Sequence, residues 1–143
     1  MRKLAALALV AALAGCSGGG GGDGLTHAEY QQQVGRALAQ LDARIAGLRA
    51  NEGAIARLRD ALADSADRLD SLDAPSDADD AHGELVDGLR AFEETIADEQ
   101  ETIGRARGLE ARAVLARIAQ SDGIVQIRRA EAELRDAGYT LPG

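Results

Sequence analysis

Residues 25–48 read LTHAEYQQQVGRALAQLDARIAGL, and this stretch decides the fold class. It opens on a capping box, Thr26-His27-Ala28-Glu29. The Thr26 hydroxyl is placed to accept from the Glu29 N–H, and the Glu29 carboxylate to accept from the Thr26 N–H. Leu25 and Tyr30 stand where a hydrophobic staple needs them. Val34, Leu38, Leu41, Ile45 and Leu48 then alternate steps of four and three, which is one face of an α-helix. The series resumes at Ile55, Leu58, Leu62, Leu69 and Leu72. Its phase slips between Leu48 and Ile55, where Asn51 and Gly53 fall, so the sequence predicts a kink or break there.

Asp73-Ala74-Pro75-Ser76 ends this first arm, and Ser76 is the expected N-cap of the next, with Asp79 three residues on. Leu85, Leu89, Phe92, Ile96 and Ile103 continue by fours and threes up to the last step. Between residues 106 and 119 the pattern widens. Leu109, Ala113, Val114, Leu115, Ala116 and Ile118 cannot all face one neighbour. Ser121-Asp122-Gly123 reads as a break, and Ile124, Ile127 and Leu134 mark a shorter helix. Gly138 is the expected stop, with Tyr139 placed to contact Leu134 as in a Schellman motif.

These segments predict an all-α fold. Only Tyr30, Phe92 and Tyr139 carry six-membered aromatic rings, which leaves an Ala, Leu and Ile core suited to thin helix–helix seams. Two prolines and the absence of β-branched runs argue against sheets. Residues 27–72 and 77–119 read as two arms of similar length, each about 65 to 70 Å if unbroken. The expected architecture is a long antiparallel helical hairpin with a third, shorter helix at 122–137 covering the wide apolar surface. The alternative is a four-helix bundle, broken near Asn51 and again near Gly104 and Gly108.

The N-terminus carries a different signal. Arg2 and Lys3 precede an unbroken run of Leu, Ala and Val over residues 4–13, followed by Leu13-Ala14-Gly15-Cys16. The apolar run is too short to span a bilayer as a helix. The Leu-Ala-Gly-Cys ending resembles the lipobox of bacterial lipoproteins. That resemblance implies diacylglycerol on Cys16 and cleavage before it. The expected organisation is therefore a signal peptide at 1–15, a lipidated cysteine with a glycine-rich tether at 16–24, and a helical domain at 25–143. Localisation follows: exported and anchored on the outer face of the plasma membrane, or on the outer membrane where the host has one. The tether, with six glycines in residues 17–24, spans about 15 Å as a random chain. The entry Leu25-Thr26-His27-Ala28-Glu29-Tyr30, the Pro75 turn and His82 are similar to a pattern in uncharacterised helical lipoproteins of high-GC bacteria, as is one lysine beside 15 arginines. This resemblance implies no activity and transfers no functional residue.

Charge is unevenly spread. Residues 60–101 hold 15 acids and only Arg68 and Arg90, a net of −13, whereas residues 16–59 and 102–143 are slightly positive. On the hairpin reading, the acids Asp73, Asp77, Asp79, Asp80 and Glu84 form a tip at the Pro75 turn, opposite the tether and away from the membrane. The expected function is a non-enzymatic envelope module that offers this tip to a cationic protein or envelope component. A solvated, solubilising face explains the same acids without a partner. No basic patch with interleaved aromatics exists, so nucleic acid is not an expected partner. His82, among Asp79, Asp80 and Glu84, is a weak candidate metal ligand, and with it comes the alternative of a small-cation or small-ligand binding bundle. Nucleophile motifs, phosphate-cradling loops and pocket-forming aromatics are missing from the sequence, which predicts neither catalysis nor a cofactor.

Overall fold

A computed structural model describes residues 24–48 and 53–142. Cys16, the signal segment, most of the tether and Asn51 lie outside the described residues. Among the described residues there are six helices: α1 (His27–Ala46), α2 (Ala54–Asp70), α3 (Asp79–Asp98), α4 (Gln100–Arg105), α5 (Gly108–Ile118) and α6 (Asp122–Asp136). The fold is all-α, a helical bundle.

The local signals act as their chemistry requires. Thr26 Oγ1 accepts from the Glu29 N–H at 3.3 Å and Glu29 Oε2 accepts from the Thr26 N–H at 3.0 Å, completing the capping box. The Thr26 hydroxyl, donating to Glu29 Oε2 at 2.6 Å, and the Thr26 N–H hold the Glu29 carboxyl below its ordinary pKa. At the other end of the chain Gly138 takes φ +95°, the Tyr139 N–H donates to Leu134 O and the Gly138 N–H to Arg135 O. Those two bonds are the Schellman stop. Ser76 is not the cap of α3. It lies in a turn closed by Ala78 N–H to Pro75 O, and Ala78 stands at the N-cap without a side-chain bond.

The long hairpin is not what forms. The first arm folds back on itself: Arg44 pairs with Asp64, Arg68 bonds Gln40, and the Leu25 N–H donates to Asp73 O, so α1 and α2 are antiparallel neighbours. Gly53 at φ +86° starts α2 after the break. Arg59 pairs with Glu93 and Arg90 with Asp70, which sets α3 antiparallel to α2. The physical reason is burial. A two-helix seam would leave both flanks of each stripe wet. Folding back buries Tyr30, Val34 and Leu38 together with Leu62, Leu69, Leu85 and Leu89 in one core.

The third-helix expectation also needs correction. The helix after Ser121 packs on α3, not over the outside of α5. Two glycines permit this. A Cβ added to Gly88 would come within 2.9 Å of Ile127, and one added to Gly123 within 2.5 Å of the Phe92 backbone nitrogen. Arg129 pairs with Glu84 farther along the same seam. Meanwhile the second arm breaks at Ala106 and Arg107, both extended, and Gly108 at φ +56° turns the chain into α5. Neither expected arrangement is matched in full: α1, α2, α3 and α6 pack together, and α4–α5, which flanks the break at Ala106 and Arg107, is an excursion between α3 and α6.

Candidate functional site

The Pro75 turn is not a remote tip. The Leu25 N–H donates to Asp73 O at 3.0 Å, and a Cβ on Gly24 would sit 3.1 Å from Ala74 O. The turn and Gly24, where the described chain begins, therefore share one end of the bundle. The expectation that the acidic turn points away from the tether fails because α1 folds back, which returns residue 24 to the level of residue 73.

Around this end Asp73, Asp77, Asp79 and Asp80 are exposed. Asp77 Oδ1 accepts from the Tyr139 hydroxyl at 2.9 Å. Among the described residues none of these four carboxylates has an ion pair. Glu84 differs, being bonded by the Arg129 guanidinium. Farther along, Asp64 is matched by Arg44, Asp67 and Asp70 by Arg90, Glu93 by Arg59, Glu99 by Arg117 and Glu101 by Arg105, while Asp60, Asp87, Glu94 and Asp98 are exposed with no ion pair among the described residues. Arg44, Arg59, Arg105, Arg117 and Arg129 from the flanking segments thus offset five acids of residues 60–101. Each such exposed pair contributes little stability on its own, about 0 to 1 kcal/mol.

Beneath the turn lies a cluster that sequence reasoning missed. His82 is 7 % exposed, and its Nδ1 lies 2.9 Å from the Tyr30 hydroxyl. With its proton on Nε2, the ring accepts from the Tyr30 hydroxyl at Nδ1. Burial pushes the His82 pKa below its ordinary value, against the opposing pull of Leu69, Asp79 and Asp70. Tyr139 meets Tyr30 edge-on at 5.2 Å and stacks on His27 at 4.0 Å. Burial raises both phenols, Tyr139 to about 12 with help from Asp77.

This geometry corrects the view of His82 as part of an acidic cation site. Its ring ties α3 to Tyr30 of α1, and no bond joins it to Asp80 or Glu84 among the described residues. Among the described residues no group of three or more His, Cys, Asp or Glu is placed to hold a metal. The signal that could have found the cluster was spacing, since His82 precedes Leu85, Leu89 and Phe92 in the same three–four rhythm. Among the described residues no helix is long and apolar enough to cross a membrane. No family model matches the chain, and neither a curated protein nor a solved structure matches it.

Proposed function

We propose that this chain is a lipid-anchored, non-enzymatic module of the cell envelope whose acidic bundle end receives a cationic partner. The observation that carries the reading is clustering: Asp73, Asp79 and Asp80 stand together at the Pro75 end, exposed and with no ion pair among the described residues, whereas the unpaired acids Asp60, Asp87, Glu94 and Asp98 are spread along α2 and α3. Their carboxylates sum to a local negative field, which speeds and orients the encounter with a cationic surface. The anchor rests on the lipobox at Leu13-Ala14-Gly15-Cys16. Because residue 24 enters beside the Pro75 turn, such a partner would bind close to the tether.

The test is crosslinking and affinity capture of the full lipoprotein from its native envelope, beside Asp73→Asn/Asp79→Asn/Asp80→Asn. Asp77 stays intact because it holds Tyr139. A partner captured by the parent and lost from the triple variant, with weaker capture at high salt, supports the reading. A partner held equally by both chains removes the acidic end from the interface. Fatty-acid labelling that persists in Cys16→Ser would refute the anchor.

A further inference from the structure

The α4–α5 excursion carries a surface that the bundle does not use. In α5 the residues Ala111, Val114 and Ile118 face the protein, and Val114 and Ile118 are buried. The opposite face holds Leu109, Arg112, Ala113 and Ala116 at i, i+3, i+4 and i+7, and all four are exposed. Leu109 is 80 % and Leu115 61 % exposed. Beside Leu115 a hollow of about 100 Å³ is walled by Ile103, Ala106, Ala111 and Val114 and is almost wholly apolar.

This is also the place where the charge changes sign. From Gln100 to Ile118 there are four arginines and two glutamates, in a chain whose net charge is −8. Arg105 pairs with Glu101 and Arg117 with Glu99, while Arg107 bonds the carbonyls of Gly104 and Ala106. Arg112, on the exposed face, has no ion pair among the described residues. Leu109 and the unmatched Arg112 share one helix face, with Leu115 at its edge and the exposed Glu110 on the other side, and such a face suits an anionic lipid surface. The leucines enter the acyl boundary and the guanidinium meets phosphate.

We propose that α5, with the apolar hollow it shares with α4, rests on the anionic headgroup surface of the membrane that holds the anchor. The proposal builds on the lipid-anchored reading. Charge complementarity favours this occupant over a second copy of the chain, whose overall charge is also negative. Geometry adds an orientation. The tether enters at the Pro75 end, and α5 lies past the far end of α3, about 30 Å away along that helix. With α5 on the headgroups, repulsion would hold the acidic end off the surface within the reach of the tether. The bundle would then stand at a slant, with its acidic end toward a partner.

The packing described lies within residues 24–142, so the chain from Cys16 onward, made without acyl groups, tests this. Its binding to sucrose-loaded vesicles is measured with phosphatidylcholine alone and with 30 % phosphatidylglycerol. Binding is expected only to the anionic vesicles. It should weaken at least tenfold in Leu109→Gln/Leu115→Gln and roughly fivefold in Arg112→Gln, with circular dichroism unchanged. Equal binding of the parent and the double variant, or no binding at all, would overturn the proposal. So would a dimer of the parent, seen by light scattering, that the double variant dissolves without any dependence on lipid. Fatty-acid labelling of Cys16 in cells reads the anchor separately. A chain that is unlabelled but binds vesicles refutes the anchor alone, and one that is labelled but does not bind refutes this face alone.

Discussion

Replacing Gly123 by alanine should loosen the α3–α6 seam. A Cβ built at Gly123 would lie 2.5 Å from the Phe92 nitrogen, 2.8 Å from its Cα and 2.9 Å from the Ala91 carbonyl carbon. Ordinary carbon contacts lie at about 3.5 to 4.0 Å, so the helices must part by roughly 1 Å. The obstructing atoms are all backbone, and no rotamer change relieves them. Parting the seam disturbs the packing of Leu85, Leu89, Ala130 and Leu134, all buried. Overpacking of this kind costs about 1 to 3 kcal/mol. The gain in helix propensity from Gly to Ala is at most about 1 kcal/mol, and less here because Gly123 is in the first turn of α6. The expected net loss is about 2 kcal/mol, or a melting point lower by roughly 10 °C for a domain of this size. Urea and thermal unfolding followed at 222 nm measure it. Gly83→Ala is the control, because nothing lies within 4 Å of its added Cβ, and it should stabilise by up to about 1 kcal/mol. A Gly123→Ala chain that melts at or above the parent temperature would refute the close-approach argument.

Further outcomes follow from the His82 cluster and the helix ends. Tyr30→Phe strands the buried Nδ1 of His82 and should cost about 1 to 3 kcal/mol in urea midpoints. Because burial holds the His82 pKa below its unfolded value, the unfolded chain takes the proton first. Its contribution is complete above about pH 6.5 and is lost as the pH falls toward the folded pKa. Comparing urea midpoints at pH 7.5 and 5.5 should show this loss, and His82→Gln should shrink it. The sign reverses for the phenols: with Tyr139 raised to about 12, stability is full below about pH 10 and declines above it. Thr26→Ala removes the N-cap of α1 and should cost about 1 kcal/mol, read as a lower melting point.

The sequence reached those features whose causes lie within one or two helical turns. The capping box at Thr26 and Glu29, the stop at Gly138 and Tyr139, and the break before Ile55 each depend on atoms a few residues apart. Local chemistry alone decides them. The all-α class follows in the same way from repeated one-face spacing. The widening between residues 106 and 119 was legible too, as a surface too broad for one neighbour.

That part of this surface stays open to solvent was not legible, nor was the path of the chain after each break. Periodicity says which face of a helix is apolar and leaves open which other face it meets. Four stripes of Leu and Ala permit a long hairpin or a folded-back bundle. Tertiary contacts chose the bundle, because it buries more of each stripe and because Gly88 and Gly123 let α6 reach the backbone of α3. That choice carried the Pro75 turn to the tether end. It turned His82 inward to Tyr30 and left Leu109 and Leu115 in the open. The sequence by itself thus determined the helical class, the capping box at Thr26, the stop at Gly138 and the uneven charge. The tertiary structure alone decided which acids keep an arginine, which histidine is buried and which leucines face solvent. These depend on neighbours distant in the chain, brought together only when the apolar faces pack.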